Sequence, residues 1–249
     1  LSRGLGDVYK RQRQPGIEAD MNPKPVAELD EYKAAGKLKG KVALITGGDS
    51  GIGRSVAILY AKEGANVAIG YYDEHQDVED TVKRLKELGV DAKAYAHDLK
   101  DEQQSKKLID DVVKDFGSLN ILVNNGGVQF PRDNFEDITP DQVKETFMTN
   151  IFGMMFLSQA AVPHLSKGDA IINTTSVTAY RGSGHLIDYS ATKGAIVSFT
   201  RSLATTLMEK SIRVNAVAPG PIYTPLIPST FDEEKVENQG GDTVSYTHL

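Results

Sequence analysis

The chain of 249 residues contains no cysteine and no tryptophan. Without cysteine there is no disulfide, no thiol nucleophile and no cysteine-ligated zinc, and the lack fits a cytoplasmic setting. Histidine is sparse. The five imidazoles have no metal-ligand spacing, so no metal site is expected. His97 ends a predicted strand, while His164 and His185 stand alone; each reads as structural or as pocket lining. No apolar stretch approaches the ~20 residues of a membrane span. Positive charge is in deficit, with 28 Lys+Arg against 34 Asp+Glu and a net charge of −6. Such a surface offers no electrostatic footprint for nucleic acid or an anionic membrane. What remains, 40% hydrophobic and 25% charged residues, is an ordinary globular composition with enough chain for one sizeable core.

The two ends differ in kind from the rest. Asp7-Val8-Tyr9-Lys10-Arg11-Gln12 can be encoded by GATGTGTATAAGAGACAG. The reverse complement of that DNA, in another frame, gives Val244-Ser245-Tyr246-Thr247-His248 and the first base of a codon for Leu249. It resembles the transposon end used in sequencing-library adapters. Residues 1–12 and 244–249 are therefore expected to be adapter-derived and are set aside. Residues 13–40, with Pro15, Pro23 and Pro25, read as an N-terminal arm, and 41–243 as the domain.

Within the domain, strand and helix patterns alternate. Short runs rich in Val, Ile, Leu or Ala predict strands near 41–46, 66–71, 92–97, 119–123, 169–174 and 212–217, each buried on both faces. Helices are predicted near 51–63, 74–88, 101–116, 140–165 and 188–210. Thr139-Pro140-Asp141 is a good helix start, with Thr as N-cap and Pro at the first helical position. Alternation of this kind implies a single α/β domain, a doubly wound parallel sheet of Rossmann type. Pro219 to Gly241 reads as the start of a mobile substrate loop.

Two groups of residues carry chemistry. Thr46-Gly47-Gly48-Asp49-Ser50-Gly51-Ile52-Gly53 follows the first strand and opens the first helix. In that context glycines let a backbone approach a pyrophosphate, and a helix N-terminus favours anions. The spacing is Gly-x-x-x-Gly-x-Gly, not Gly-x-Gly-x-x-Gly. The second group is Tyr189 and Lys193, four apart, with Ser176 thirteen residues earlier. A Lys at i+4 shares a helix face with the Tyr, and its charge is expected to lower the phenol pKa from about 10 toward the working range. A Ser hydroxyl alongside can hold a carbonyl or alcohol oxygen. Alone, Tyr-x-x-x-Lys is a weak sign; after the glycine loop it is a strong one.

From about Lys37 to Asp242 the chain resembles the short-chain dehydrogenase/reductase family. Thr46-Gly47-x-x-x-Gly51-x-Gly53 is similar to its cofactor loop. Asn124-Asn125-Gly126-Gly127 is similar to its Asn-Asn-Ala-Gly segment, with Gly126 in place of Ala. Ser176, Tyr189 and Lys193 match its catalytic residues, and Asn150 falls where the family has an Asn that holds a proton-relay water. Pro219-Gly220-Pro221-Ile222-Tyr223-Thr224 resembles the segment whose Thr contacts the nicotinamide amide. The forerun from Met21 to Gly40 resembles a bacterial general-stress subgroup with a longer arm. Against the family's pattern, the domain is expected to lack its last helix and strand.

The resemblance implies catalysis by Asn150, Ser176, Tyr189 and Lys193. It implies cofactor contacts from Thr46, Gly47, Asp49, Ser50, Gly51, Ile52, Gly53, Tyr71, Asp98, Leu99, Asn125, Gly126, Gly127, Tyr189, Lys193, Pro219, Gly220, Ile222 and Thr224. Strand two ends Gly70-Tyr71-Tyr72-Asp73, with Tyr71 at the usual acid position and no Arg or Lys beside it. Asp49 and Asp73 would oppose a 2′-phosphate, and Arg54 is expected to neutralise Asp49; NAD is favoured over NADP. Val128, Gln129, Phe130, Val177, Tyr180, His185 and Ile222 are expected around the reacting carbon. The implied activity is reversible alcohol–carbonyl oxidoreduction on a small molecule, by a homotetramer when complete. The alternatives are a cofactor-binding sensor or scaffold without turnover, and a lyase or epimerase.

Overall fold

The computed structural model describes residues 13–29 and 31–231. The order of elements in its first half is β1 (Val42–Thr46), α1 (Gly51–Lys62), β2 (Asn66–Tyr71), α2 (His75–Glu87), β3 (Ala92–Ala96), α3 (Glu102–Phe116) and β4 (Ile121–Asn124). Then come α4 (Pro140–Phe147), a π-helical turn (Met148–Phe152), α5 (Gly153–Ala161) and β5 (Ala170–Thr174). The chain continues with α6 (Thr178–Arg181), α7 (Ile187–Leu207), β6 (Arg213–Val217) and α8 (Leu226–Thr230). The six strands form one parallel sheet in the order β3-β2-β1-β4-β5-β6. Strand order reverses between β1 and β4, which opens a crevice at their C-terminal ends.

Local chemistry accounts for the elements. All five residues of β1 and all four of β4 are buried, as central parallel strands require. One core cluster joins Leu44, Leu122 and Ile171 to α3, α5 and α7. The other joins Ile45, Ile69 and Val123 to α1 and α2. Asp101 caps α3 through the amides of Gln103 and Gln104, and Gly117 ends it at φ 80°, a left-handed turn that suits glycine. Thr139 caps α4 by accepting from Gln142 N, with Pro140 following.

Three expectations need correction. The edge strands β3 and β6 are not buried on both faces: Lys93, Ala94, Asn215 and Ala216 are exposed, because each edge is covered by fewer neighbours than the centre. The single helix over 140–165 is broken by the π turn and gives way after Ala161 to a 3₁₀ turn. The short helices α6 and α8 were outside the sequence pattern. Residues 1–12 and 232–249, and with them the ends expected to be adapter-derived and the last part of the loop expected from Pro219, lie outside the described residues.

Among its described residues the arm has a 3₁₀ turn at Glu18–Asp20 and no strand, and it lies against the domain. Glu63, just after α1, accepts from Lys37 N at 2.7 Å and Ala35 N at 3.2 Å, and its carboxylate also takes the Tyr32 hydroxyl.

Candidate active site

The crevice is built by backbone contact between two loops. Thr46 Oγ1 accepts from Asn125 N at 3.0 Å and Gly126 N at 3.1 Å. Asn125 Nδ2 donates to the carbonyls of Thr46 and Gly47, both at 3.2 Å. Gly47 has φ 59°, and a Cβ there would lie 3.1 Å from Gly126 Cα. At Gly53 a Cβ would lie 1.9 Å from the Gly47 carbonyl oxygen. Gly53 is therefore required by the loop's own backbone, not by the approach of a ligand. Gly51, at φ 51°, faces the Thr224 side chain, 3.0 Å from where its Cβ would stand. The segment from Pro219 thus folds back over the glycine loop.

On the other side, α7 and the end of β5 bring the second group together. The Ser176 hydroxyl lies by the Tyr189 side chain, close enough to act on its phenol, and accepts from Thr178 N at 3.2 Å. Lys193 Nζ lies 5.2 Å from the centre of the Tyr189 ring and donates to the Thr174 carbonyl at 2.9 Å. Both side chains are buried. Burial pushes the Tyr189 phenol up, against the lowering effect of the Ser176 hydroxyl. Burial also pulls the Lys193 ammonium down to about 8. The expectation that Lys193 lowers Tyr189 is thereby corrected: desolvation of the phenolate outweighs it, and the ammonium is turned to a carbonyl. A phenol held protonated at neutral pH is suited to giving a proton.

Asn150 sits in the π turn, 1% exposed. Its Oδ1 accepts from Val128 N and its Nδ2 donates to Val128 O, both at 2.8 Å, with Thr192 Oγ1 at 3.2 Å. Its side chain holds the loop after β4. Periodicity alone gave no sign of the π turn that aims it there; such turns often mark functional sites.

A cavity of about 580 Å³ joins the two groups. Gly47, Asp49, Ser50, Gly51, Ile52, Tyr71, Asp98, Leu99, Asn125, Gly126 and Gly127 line one part. Ser176, Tyr189, Lys193, Pro219, Gly220, Ile222 and Thr224 line the other. Thr46, Gly53 and Asn150 stand behind its walls. Of the residues expected near the reacting carbon, Val128, Gln129, Phe130, Val177 and Ile222 line the cavity. Tyr180 and His185 do not: Tyr180 is 67% exposed, and His185 turns to Asp133 at 3.5 Å. Thr178, Arg181 and Leu186 take their place, brought in by the unforeseen α6 and the turn after it.

The electrostatics at the strand-two end also differ from expectation. Arg54 does not neutralise Asp49; its Nη1 pairs with Glu18 of the arm at 2.9 Å. Asp49 is buried, and burial beside Glu74 raises its carboxyl to about 7. Asp73 pairs with Arg13 at 2.8 Å. Glu74, missed in the sequence, lines the cavity and accepts from Tyr72 N and Asp73 N. His97 forms part of the wall, buried, with neither ring nitrogen bonded among the described residues and its imidazole pushed down by burial.

A nicotinamide dinucleotide fits this chemistry. The glycine turn is closed to side chains, Ser50 and Ile52 at the start of α1 line the cavity, and the buried His97 imidazole faces it with neither ring nitrogen bonded among the described residues. The short chain dehydrogenase family model matches residues 41–235. General stress protein 39 of Bacillus subtilis is 55% identical over 233 residues, covering 94% of this chain and 82% of that protein. Glucose and ribitol dehydrogenase of Daucus carota is 49% identical over 247 residues, covering 97% and 85%. A short chain dehydrogenase from Burkholderia cenocepacia, solved in complex with NADP, superposes with a TM-score of 0.76 at 35% identity, covering 80% of this chain and 82% of that one. Among the described residues no helix is long and apolar enough to cross a membrane.

Proposed function

From the chain's membership of the short-chain dehydrogenase family, we propose that it interconverts an alcohol and a carbonyl on a small molecule with a nicotinamide cofactor. The observation that carries this reading is the buried Ser176–Tyr189–Lys193 set on the wall of the cavity that the glycine loop also lines. When bound, the cofactor supplies or accepts the hydride. Ser176 orients the substrate oxygen through its hydroxyl. Tyr189 gives its phenolic proton to that oxygen in reduction and takes it back in oxidation. Lys193 stabilises the phenolate left behind, and would hold the cofactor's ribose hydroxyls. Asn150 fixes Val128 against this set, and a water on its carbonyl oxygens would extend the proton path to solvent.

NAD is the proposed cofactor in preference to NADP. The cations near the end of β2 are each engaged, Arg54 with Glu18, Arg13 with Asp73 and Lys100 with Glu145. A 2′-phosphate would have to take one of them from its partner. Asp49 contributes less to this preference than its formal charge suggests, since its raised pKa leaves it largely protonated below about 7. The carrot relative's name points to sugars and polyols as the first substrates to try.

The test is a screen of sugars, polyols, aldehydes and ketones, with NAD(H) and NADP(H) in parallel, read by absorbance of the reduced cofactor. Turnover of an alcohol–carbonyl pair is expected. Cofactor binding without any turnover would favour the sensor or scaffold reading.

A further inference from the structure

The family model begins at residue 41, yet the cavity has a wall that comes from before it. Gln14, Pro15 and Gly16 line the cavity together with Gly51, Tyr71 and Tyr189. The segment crosses the crevice at its switch point. On the β2 side, Arg13 pairs with Asp73 at 2.8 Å. On the β4 side, the Gln14 amide engages both backbone groups of Gln129: Oε1 accepts from Gln129 N at 3.2 Å, and Nε2 donates to Gln129 O. The Gln129 side chain in turn donates to Thr230 Oγ1 in α8 at 3.1 Å. Arm, loop and α8 therefore meet at one amide.

The two ends of this segment differ in strength. Glu18 is 3% exposed; its carboxylate accepts from the first amide of α1, Gly51 N, at 2.7 Å and from Arg54 at 2.9 Å. Its own amide and that of Ala19 donate to Asp77 at 2.6 and 2.8 Å. Charge-assisted bonds in a buried setting make this end a fixed anchor. At the other end, Arg13 and Asp73 have about half-exposed side chains, 52% and 40%, where an ion pair contributes little.

We propose that Arg13–Glu18 is an outer wall of the dinucleotide site, anchored at Glu18 and latched at Gln14, so that opening of the Gln14 end governs cofactor release. This rests on the reading that a nicotinamide cofactor occupies the cavity. Gln14 is then a positioning residue: it holds the loop that carries Val128 and Gln129, and it closes the groove over the bound molecule.

The test uses the whole chain and reads release directly, by stopped-flow decay of NADH fluorescence on chasing with excess NAD. Gln14→Ala and Arg13→Ala should each release NADH faster, about tenfold for Gln14→Ala, with the thermal midpoint unchanged because the contacts removed are at most half-buried. Release at the wild-type rate in both variants, or faster release only alongside a lowered midpoint, would overturn the wall. A wild-type chain that binds neither NADH nor NADPH would instead overturn the cofactor reading, and the wall with it.

Discussion

At the scale of residues, the proposed function assigns Tyr189 as proton donor and Lys193 as the group that tunes it. Tyr189→Phe should still bind cofactor, measured by calorimetry, and should keep less than about a tenth of wild-type turnover, because the donor is gone while the glycine loop is untouched. Retention of more would remove Tyr189 from the role. Lys193 sets a pH limit. Its ammonium is pulled down to about 8, so it is charged below that pH and neutral above it. The charge that supports the nascent phenolate is lost as pH rises through this value, so kcat/KM for carbonyl reduction should fall above about 8. Lys193→Met should be slow with no such step; an unchanged step would assign it to another group. Asp49 makes a prediction of stability. Its folded pKa is raised, so the folded protein binds a proton more tightly than the unfolded chain does between the ordinary value of 3.8 and about 7. Stability from this group therefore falls as pH rises through that window. Asp49→Asn should raise the thermal midpoint at pH 8 by several degrees relative to wild type and have little effect at pH 3, where both states are largely protonated; an equal shift at both would refute the argument.

At the scale of elements, the glycine loop is a device for closing backbone on backbone. A Cβ at position 53 would overlap the Gly47 carbonyl oxygen at 1.9 Å. Gly53→Val should therefore deform the turn, lowering both cofactor affinity and the thermal midpoint, whereas a ligand-clearance role would spare the midpoint. This half of the site was legible in the sequence because strand, glycine turn and helix follow one another along the chain. The same holds for Tyr189 and Lys193, which one helix turn joins. The π turn was not legible, since Met148 to Phe152 keeps the apolar periodicity of a helix and only its hydrogen-bonding shows the change. The ion pairs of Arg54 and Arg13 were hidden for another reason: their partners lie 36 and 60 residues away, and no local pattern reports such a contact. The prolines of residues 13–40 read as an arm in the sequence, but they gave no sign that Gln14, Pro15 and Gly16 line the cavity.

At the scale of the whole molecule, the same helices that carry the site also leave an apolar face open. Phe152 and Met155, at the π turn and in α5, are 42% and 43% exposed, and Ile187 at the start of α7 is 37% exposed. Ile151 and Met154, next to Phe152 and Met155 in the chain, are buried with Ile196 of α7 and tie the two helices together, with Phe147 and Phe199 partly buried alongside. The face is therefore rigid as well as apolar, the combination that favours a self-complementary contact. Burying large apolar side chains of this kind contributes roughly 1.5–3 kcal/mol each. We predict that the 249-residue chain pairs through this face into a dimer, and that a tetramer needs a second contact. The outer edge of β6, paired only with β5 among the described residues, is the place for either that contact or aggregation. Light scattering checks both parts. A dimer is expected, and Met155→Glu, which places a charge in the middle of the face, should convert it to monomer while leaving the far-UV spectrum unchanged. A monomer from the start would deny the interface, and a tetramer that survives Met155→Glu would place assembly elsewhere, at the sheet edge.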